Sequence, residues 1–288
     1  MVSKNNLEFK NRKLVIATKH SKERVIAPLL KKELGVDIIV PENFDTDKFG
    51  TFTRDIKRKG TQKEVAIKKA KEALRTTGLD LAVASEGSFG PSRQAIFLQS
   101  NLEIVVLIDT LNKFEIIGYA ESLETNIEGG YVNSIDEAIE FADALNFPKF
   151  GIILRLDEAC NTKDIYKECV CFDDLKQVVK TLFKKSKDGR IYLETDMRAH
   201  RNPLRMKVIK KATMDLIKKI KSKCPNCFVL GYEVVDTELG LECEFCGSKT
   251  RIPKYLIYKC RNCKFVSKSR VQENQEFASP QNCSICNP

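Results

Sequence analysis

The sequence predicts an α/β fold, a mixed sheet flanked by helices, followed by a small C-terminal double zinc-ribbon module. Two observations carry this. Strand and helix signals alternate through about the first 220 residues, the pattern of an α/β chain. Four Cys-x-x-Cys pairs then crowd the last quarter. Ser222 and Lys223 stand between the two regimes, so the predicted domains are 1–222 and 223–288.

The elements follow in order. Residues 14–17 read as a buried strand, 21–34 as a helix and 36–40 as a second strand. A polar loop, 41–60, leads into a helix over 61–77, where Thr61 and Glu64 have the spacing of a capping box. Residues 81–84 form an apolar run that opens into a glycine-rich turn over 85–91. Strands are predicted at 103–108 and 114–119, then a helix at 134–145 with Ser134 and Glu137 as a second capping box. A strand at 150–154, a helix at 172–185 and a strand at 190–194 complete the alternation. Asn202 and Pro203 suit the N-cap and first position of a long helix reaching about residue 221. Its buried face is marked by Leu204, Val208, Ala212, Leu216 and Ile220. Lys207, Lys210, Lys211, Lys218 and Lys221 lie elsewhere on it, as a solvated surface or a nucleic-acid face.

Residues 1–13 are polar, without the apolar stretch of a signal peptide, and runs such as 104–108 are too short to span a bilayer. A cytoplasmic protein with reduced thiols and no membrane partner is the expectation. The formal charge of +10 falls to +6 once eight thiolates and two Zn²⁺ are counted, a modest excess that suits phosphate-bearing partners.

The cysteine pairs are Cys224/Cys227, Cys243/Cys246, Cys260/Cys263 and Cys283/Cys286, with fifteen residues between the first two and nineteen between the last two. Two residues between cysteines make a tight knuckle that points both sulfurs at one metal, and two knuckles complete a tetrahedral thiolate site. Read half by half, this predicts two tandem structural Zn²⁺ sites. Closed four-cysteine sites leave no position for a catalytic water, so the zinc is expected to be scaffold. Cys160, Cys169 and Cys171 fall outside the pattern, as small core or surface residues.

Four polar clusters sit beyond predicted strand ends, where α/β proteins keep their sites. Thr18-Lys19-His20-Ser21-Lys22 can hold phosphate at a helix N-terminus, or be a plain Ser21 N-cap. Thr61 to Ala70 contains Glu64 and Lys69, with Glu64 equally suited to capping. Glu86 enters the 85–91 turn as a candidate metal carboxylate, or as an ordinary turn residue. The run from Glu194 to Pro203 gathers Asp196, Arg198, His200 and Arg201 as a site, or as ion pairs at an element boundary.

In order along the chain, these segments resemble the inosine-triphosphate pyrophosphatase superfamily. The carrying motifs are Ala17-Thr18-Lys19-His20-Ser21-Lys22, then Thr61-Gln62-Lys63-Glu64-Val65-Ala66 with Lys69-Ala70. Thr77-Gly78-Leu79, the Ser85-Glu86-Gly87 turn and Ala199-His200-Arg201 complete them. Lys19, His20 and Val65 depart from that family's glycine and asparagines, and its paired aspartates are absent. The resemblance covers about residues 13–215; the whole chain, tail included, also resembles an uncharacterised bacterial family without assigned function. What the first resemblance implies is a hydrolase that releases pyrophosphate from a nucleoside triphosphate. Glu64 and Glu86 would hold catalytic Mg²⁺ or Mn²⁺, Thr18, Lys19, Lys22 and Lys69 would meet the phosphates, and Arg198, His200 and Arg201 would meet the rest of the nucleotide. The alternative is a zinc-ribbon nucleic-acid-binding protein without catalysis. In that reading Phe228, Phe245, Tyr255, Tyr258 and Phe265 stack on bases; otherwise they form the ribbons' small core.

Overall fold

Residues 9–42, 44–50, 58–92, 95–159 and 164–288 are described by the structure, a computed structural model. Part of the predicted 41–60 loop, most of the polar N-terminal stretch and Cys160 lie outside them. The chain divides into two units, Phe9–Ile217 and Lys218–Pro288.

In the first unit, β1 (Lys13–Ala17) is followed by α1 (Glu23–Leu34), β2 (Asp37–Ile39) and α2 (Gln62–Thr77). β3 (Leu81–Pro91), β4 (Gln99–Asp109) and β5 (Phe114–Ser122) complete a five-stranded sheet in the order β2-β1-β3-β4-β5. β2, β1 and β3 run parallel; β3, β4 and β5 are antiparallel. A second sheet is built from β6 (Gly129–Val132), β7 (Ile152–Arg155), β8 (Ile165–Tyr166) and β9 (Ile191–Thr195), in the antiparallel order β6-β9-β7-β8. α3 (Ile135–Ala144) and α4 (Phe172–Lys185) pack Ala138, Ala142, Leu175, Val179 and Leu182 against its Ile152, Leu154, Ile191 and Leu193. The fold is therefore α/β with two sheets flanked by helices. The short strands β6 and β8 are additions to the predicted elements; β8 has two residues, too few for a periodic signal.

Strand alternation sorts the faces of the larger sheet. Val15, Ala82, Ala84, Ile104, Val106 and Ile108 pack against Ala66, Ala70, Ala73 and Leu74 of α2. The opposite face meets α5 (Pro203–Lys221) at very close range. A Cβ on Gly118 would stand 2.2 Å from the Ala212 carbonyl oxygen and 2.4 Å from the Leu216 nitrogen, so only glycine admits the helix there. Arg205, not the half-buried Leu204, takes the first place in the buried stripe of α5, ahead of Val208, Ile209, Ala212 and Leu216.

Two expectations about turns are corrected. Residues 85–91 are not a turn: β3 continues through them and pairs with β4 at every position from Leu81–Asp109 to Pro91–Gln99. Gly87 serves close approach, because a Cβ there would lie 2.5 Å from both Arg205 Nη2 and Glu103 Oε1. Ser21 is not the cap of α1 either; it sits at φ 56° and Lys22 occupies the N-cap without a side-chain bond. The α2 capping box is present as predicted: Glu64 N–H donates to Thr61 Oγ1 (3.2 Å) and Thr61 N–H to Glu64 Oε2 (2.9 Å).

The second unit carries a three-stranded antiparallel sheet, β10 (Glu233–Leu239), β11 (Pro253–Lys259) and β12 (Val266–Arg270). The halves are not tandem ribbons. Cys224, Cys227, Cys260 and Cys263 form one quartet and Cys243, Cys246, Cys283 and Cys286 the other. The meander explains it: knuckles one and three fall at one end of the strands, and knuckles two and four at the other.

Candidate functional site

The larger unit has a cleft of about 520 Å³, open solvent included, where the parallel strands end. Its floor is a set of buried charges drawn from three helices and both faces of the sheet. Glu86 and Gly87 are neighbours on β3 and therefore face opposite sides. On the α2 side, Lys69 Nζ donates to Glu86 Oε2 at 2.6 Å, with both side chains 6% exposed. Lys69 lies among Ala66, Ala70 and Ala73 on the buried stripe of α2, a cation where helical spacing calls for an apolar residue. On the α5 side, in the space Gly87 leaves, Arg205 Nε donates to Glu103 Oε1 at 2.5 Å, both fully buried. A further Arg205 nitrogen donates to the Met197 carbonyl at 2.7 Å.

Lys22 enters between these pairs from the start of α1. Its ammonium donates to the Ser85 carbonyl at 3.3 Å rather than to a carboxylate. Burial, then the charges of Arg205 and Lys69, push its pKa down to about 7, against partial relief from Glu103 and Glu86. Burial alone would raise Glu86, but Lys69 and Lys22 outweigh it and hold its carboxyl below the usual range. At the rim, His20 Nε2 and Lys19 Nζ bind Asp47 at 3.0 and 2.6 Å and hold its carboxyl well below the ordinary value. Arg198 reaches the cleft while bound to Asp196 (2.7 Å) and Glu168 (2.7 Å).

Lys22, Lys69, Glu86 and Arg198 are thus brought together. Thr18 is buried at the end of β1, and its hydroxyl has no hydrogen-bond partner among the described residues. Lys19 is engaged at the rim by Asp45 and Asp47. His200 is exposed and stacks on His20 with ring centres 5.1 Å apart, while Arg201 turns to the Cys169 carbonyl. Glu194 pairs with Arg155, outside the cleft. Arg205 and Glu103 were not anticipated. The one signal for them was a charged residue in each of two otherwise apolar buried patterns.

A Glu64–Glu86 cation site does not fit this arrangement. Glu64 is exposed in the capping box, and Glu86 faces Lys69 and, at 3.6 Å, Arg58. Among the described residues, the groups of three or more ligand side chains close enough for one ion are the two cysteine quartets.

Within each quartet the ligand atoms lie within 4.8 Å of one another, and four thiolates match Zn²⁺ in number and softness. Either can hold one zinc ion. The knuckles share their geometry. Phe228, Gly247, Lys264 and Asn287 each donate a backbone N–H to the carbonyl of the knuckle's first cysteine, at 2.8–3.1 Å. Phe228, Gly247 and Lys264 adopt left-handed φ of 60–70° to do so, a conformation that two of them hold at a steric cost.

The chain belongs to a family described as a domain of unknown function, DUF6671, whose profile matches residues 69–288. No curated protein matches it. Among solved structures, the crystal structure of protein VC0702 from Vibrio cholerae shares 10% identity, over 72% of this chain and 94% of that one, at a TM-score of 0.33. No helix among the described residues is long and apolar enough to cross a membrane.

Proposed function

We propose that the cleft binds a phosphate-bearing nucleotide by its phosphates, on a chain whose C-terminal unit is held together by zinc. One observation carries the reading: Lys22 is a buried cation beside two ion pairs that already neutralise each other. Leaving such a charge without a counter-charge is costly, by several kcal/mol or so, and an incoming phosphate removes the cost. Lys22 N–H groups would bind the phosphate directly, while Lys69 and Arg205 would reinforce it by charge. Hydrolysis to release pyrophosphate rests on the family resemblance alone, and the Glu86 carboxylate is the group at the site that suits it.

The test is calorimetric titration of the full chain with pyrophosphate and with nucleoside triphosphates, paired with Lys22→Met and with a pyrophosphate-release assay. Binding weakened about tenfold or more in Lys22→Met is expected, the loss of one charged hydrogen bond. No binding of any triphosphate or of pyrophosphate by the unaltered chain sinks the proposal; binding without turnover removes hydrolysis only.

A second reading, nucleic-acid binding by the C-terminal unit, is favoured by Phe228 and Phe245, 67% and 82% exposed at the knuckles. Tyr258 does not add to it, since it stacks on Tyr232 inside that unit's small core.

A further inference from the structure

We propose that the two cysteine quartets differ in kind. The metal of Cys243, Cys246, Cys283 and Cys286 is exchangeable, and Cys286 is the thiolate at which hydroperoxides and alkylating electrophiles open the site. The proposal rests on both quartets holding zinc.

The two sites are built on one plan with opposite contents at one position. The residue before the second cysteine of each knuckle is Asn226 and Asn262 in the first quartet, and Phe245 and Ile285 in the second. The asparagines reach across the metal position. Asn226 Nδ2 donates to Cys263 Sγ at 3.5 Å and Asn262 Nδ2 donates to Cys227 Sγ at 3.7 Å. Each thus shields the outer sulfur of the opposite knuckle. Phe245 and Ile285 have no donor to offer and stand 82% and 67% exposed.

A second layer of donors separates the four outer sulfurs further. Cys227, Cys246 and Cys263 each receive a backbone N–H from two residues on, that of Val229, Ser248 and Phe265. Cys246 also receives the Ser248 side chain. Two residues after Cys286 comes Pro288, which has no N–H. Cys286 is therefore the one outer cysteine that lacks both kinds of donor among the described residues. Hydrogen bonds to a metal-bound thiolate draw off its electron density and hold it in place, so the unshielded sulfur is the better nucleophile.

With a hydroperoxide the chemistry closes. The Cys286 thiolate attacks the peroxide oxygen, the O–O bond breaks, and its metal–sulfur bond is replaced by S–OH. The Cys243 thiolate, its sulfur 3.9 Å away, attacks that sulfur and expels hydroxide, leaving a disulfide. Two thiolates lose two electrons, and hydrogen peroxide plus two protons becomes two waters. Two thiolates remain, too few to retain the ion.

The experiment uses the full chain, its metal content measured beforehand. Zinc release is followed with a colorimetric chelator during reaction with N-ethylmaleimide and with hydrogen peroxide, and modified cysteines are mapped by mass spectrometry. The expected result is two phases, the first about tenfold or more faster, with the first label on Cys286. Pro288→Ala, which restores an N–H, slows the first phase several-fold. Asn226→Ala with Asn262→Ala speeds the second phase several-fold without bringing it to the rate of the first, because the Val229 and Phe265 N–H groups remain, in a variant first checked to hold two zinc ions. Fewer than two zinc ions in the unaltered chain overturns the metal reading itself. Equal release rates, or a first label on the Cys224–Cys263 quartet, overturn the ordering and leave the metal reading intact.

Discussion

β4 of the α/β unit buries nine of its eleven residues, whereas β10, β11 and β12 of the cysteine unit bury none of theirs. What the smaller unit does bury is led by Cys224, Cys243, Cys260 and Cys283, with Tyr232, Leu241 and Ala278 beside them. Water exclusion by apolar side chains organises the first unit. The second exposes too much of its surface for that, and metal held by its two cysteine quartets would supply the cross-linking that a core supplies elsewhere. The contrast also explains where each unit tolerates charge. A thick core can hold Lys69–Glu86 and Arg205–Glu103 in fixed register, and a cleft needs that register to present an unmatched cation.

The largest effect expected from this contrast is metal removal. A strong chelator should unfold 218–288, with a loss on the order of 10 kcal/mol per site, and leave Phe9–Ile217 folded. Hydrogen exchange resolved by peptide reads it directly: amides of β10–β12 that stay protected in chelator would contradict a metal-held unit. Next comes Glu103→Gln, which strands the buried Arg205 charge and should cost about 3–5 kcal/mol in denaturant unfolding. A loss near zero would mean that the pair is solvated in practice.

The third test uses acidity. The unfolded chain keeps a proton on Lys22 up to the ordinary 10.5, while the folded chain gives it up near 7. Between those values the unfolded state binds more protons, so stability should rise with pH, by up to about 1.4 kcal/mol per unit. Below 7 the penalty is fully present. Lys22→Met should remove that rise, and an unchanged slope in the variant would assign it elsewhere. The smallest effect belongs to the α2 cap. Thr61→Ala should cost about 1 kcal/mol, and Glu64→Ala should lower thermal stability slightly while nucleotide affinity stays where it was. A large affinity loss in Glu64→Ala would bring that carboxylate back into the site.

Much of the fold was legible because its signals are local. The α2 capping box, the Asn202–Pro203 start of α5 (Arg205 N–H donates to Asn202 Oδ1 at 3.1 Å) and the long strands β4 and β5 follow from neighbouring residues. Gly87 misled because its reason is not local: it answers to Arg205, over a hundred residues away in sequence. The cysteine knuckles were legible one at a time, but which of them come together in a quartet depends on strand order. In the cleft, Lys22, Lys69 and Glu86 were reached through resemblance, whereas Arg205 and Glu103 were concealed as exceptions within apolar patterns.

Alternation of the knuckles along the meander also sets a timetable for a chain leaving the ribosome. Cys224–Cys227 and Cys243–Cys246 emerge first, yet they belong to different quartets, so four thiols wait without a complete site. The first site closes only after Cys263 has appeared, and the second only after Cys286. A chain interrupted between β11 and β12 therefore carries one finished site at most, and a fragment containing two consecutive knuckles carries only two halves.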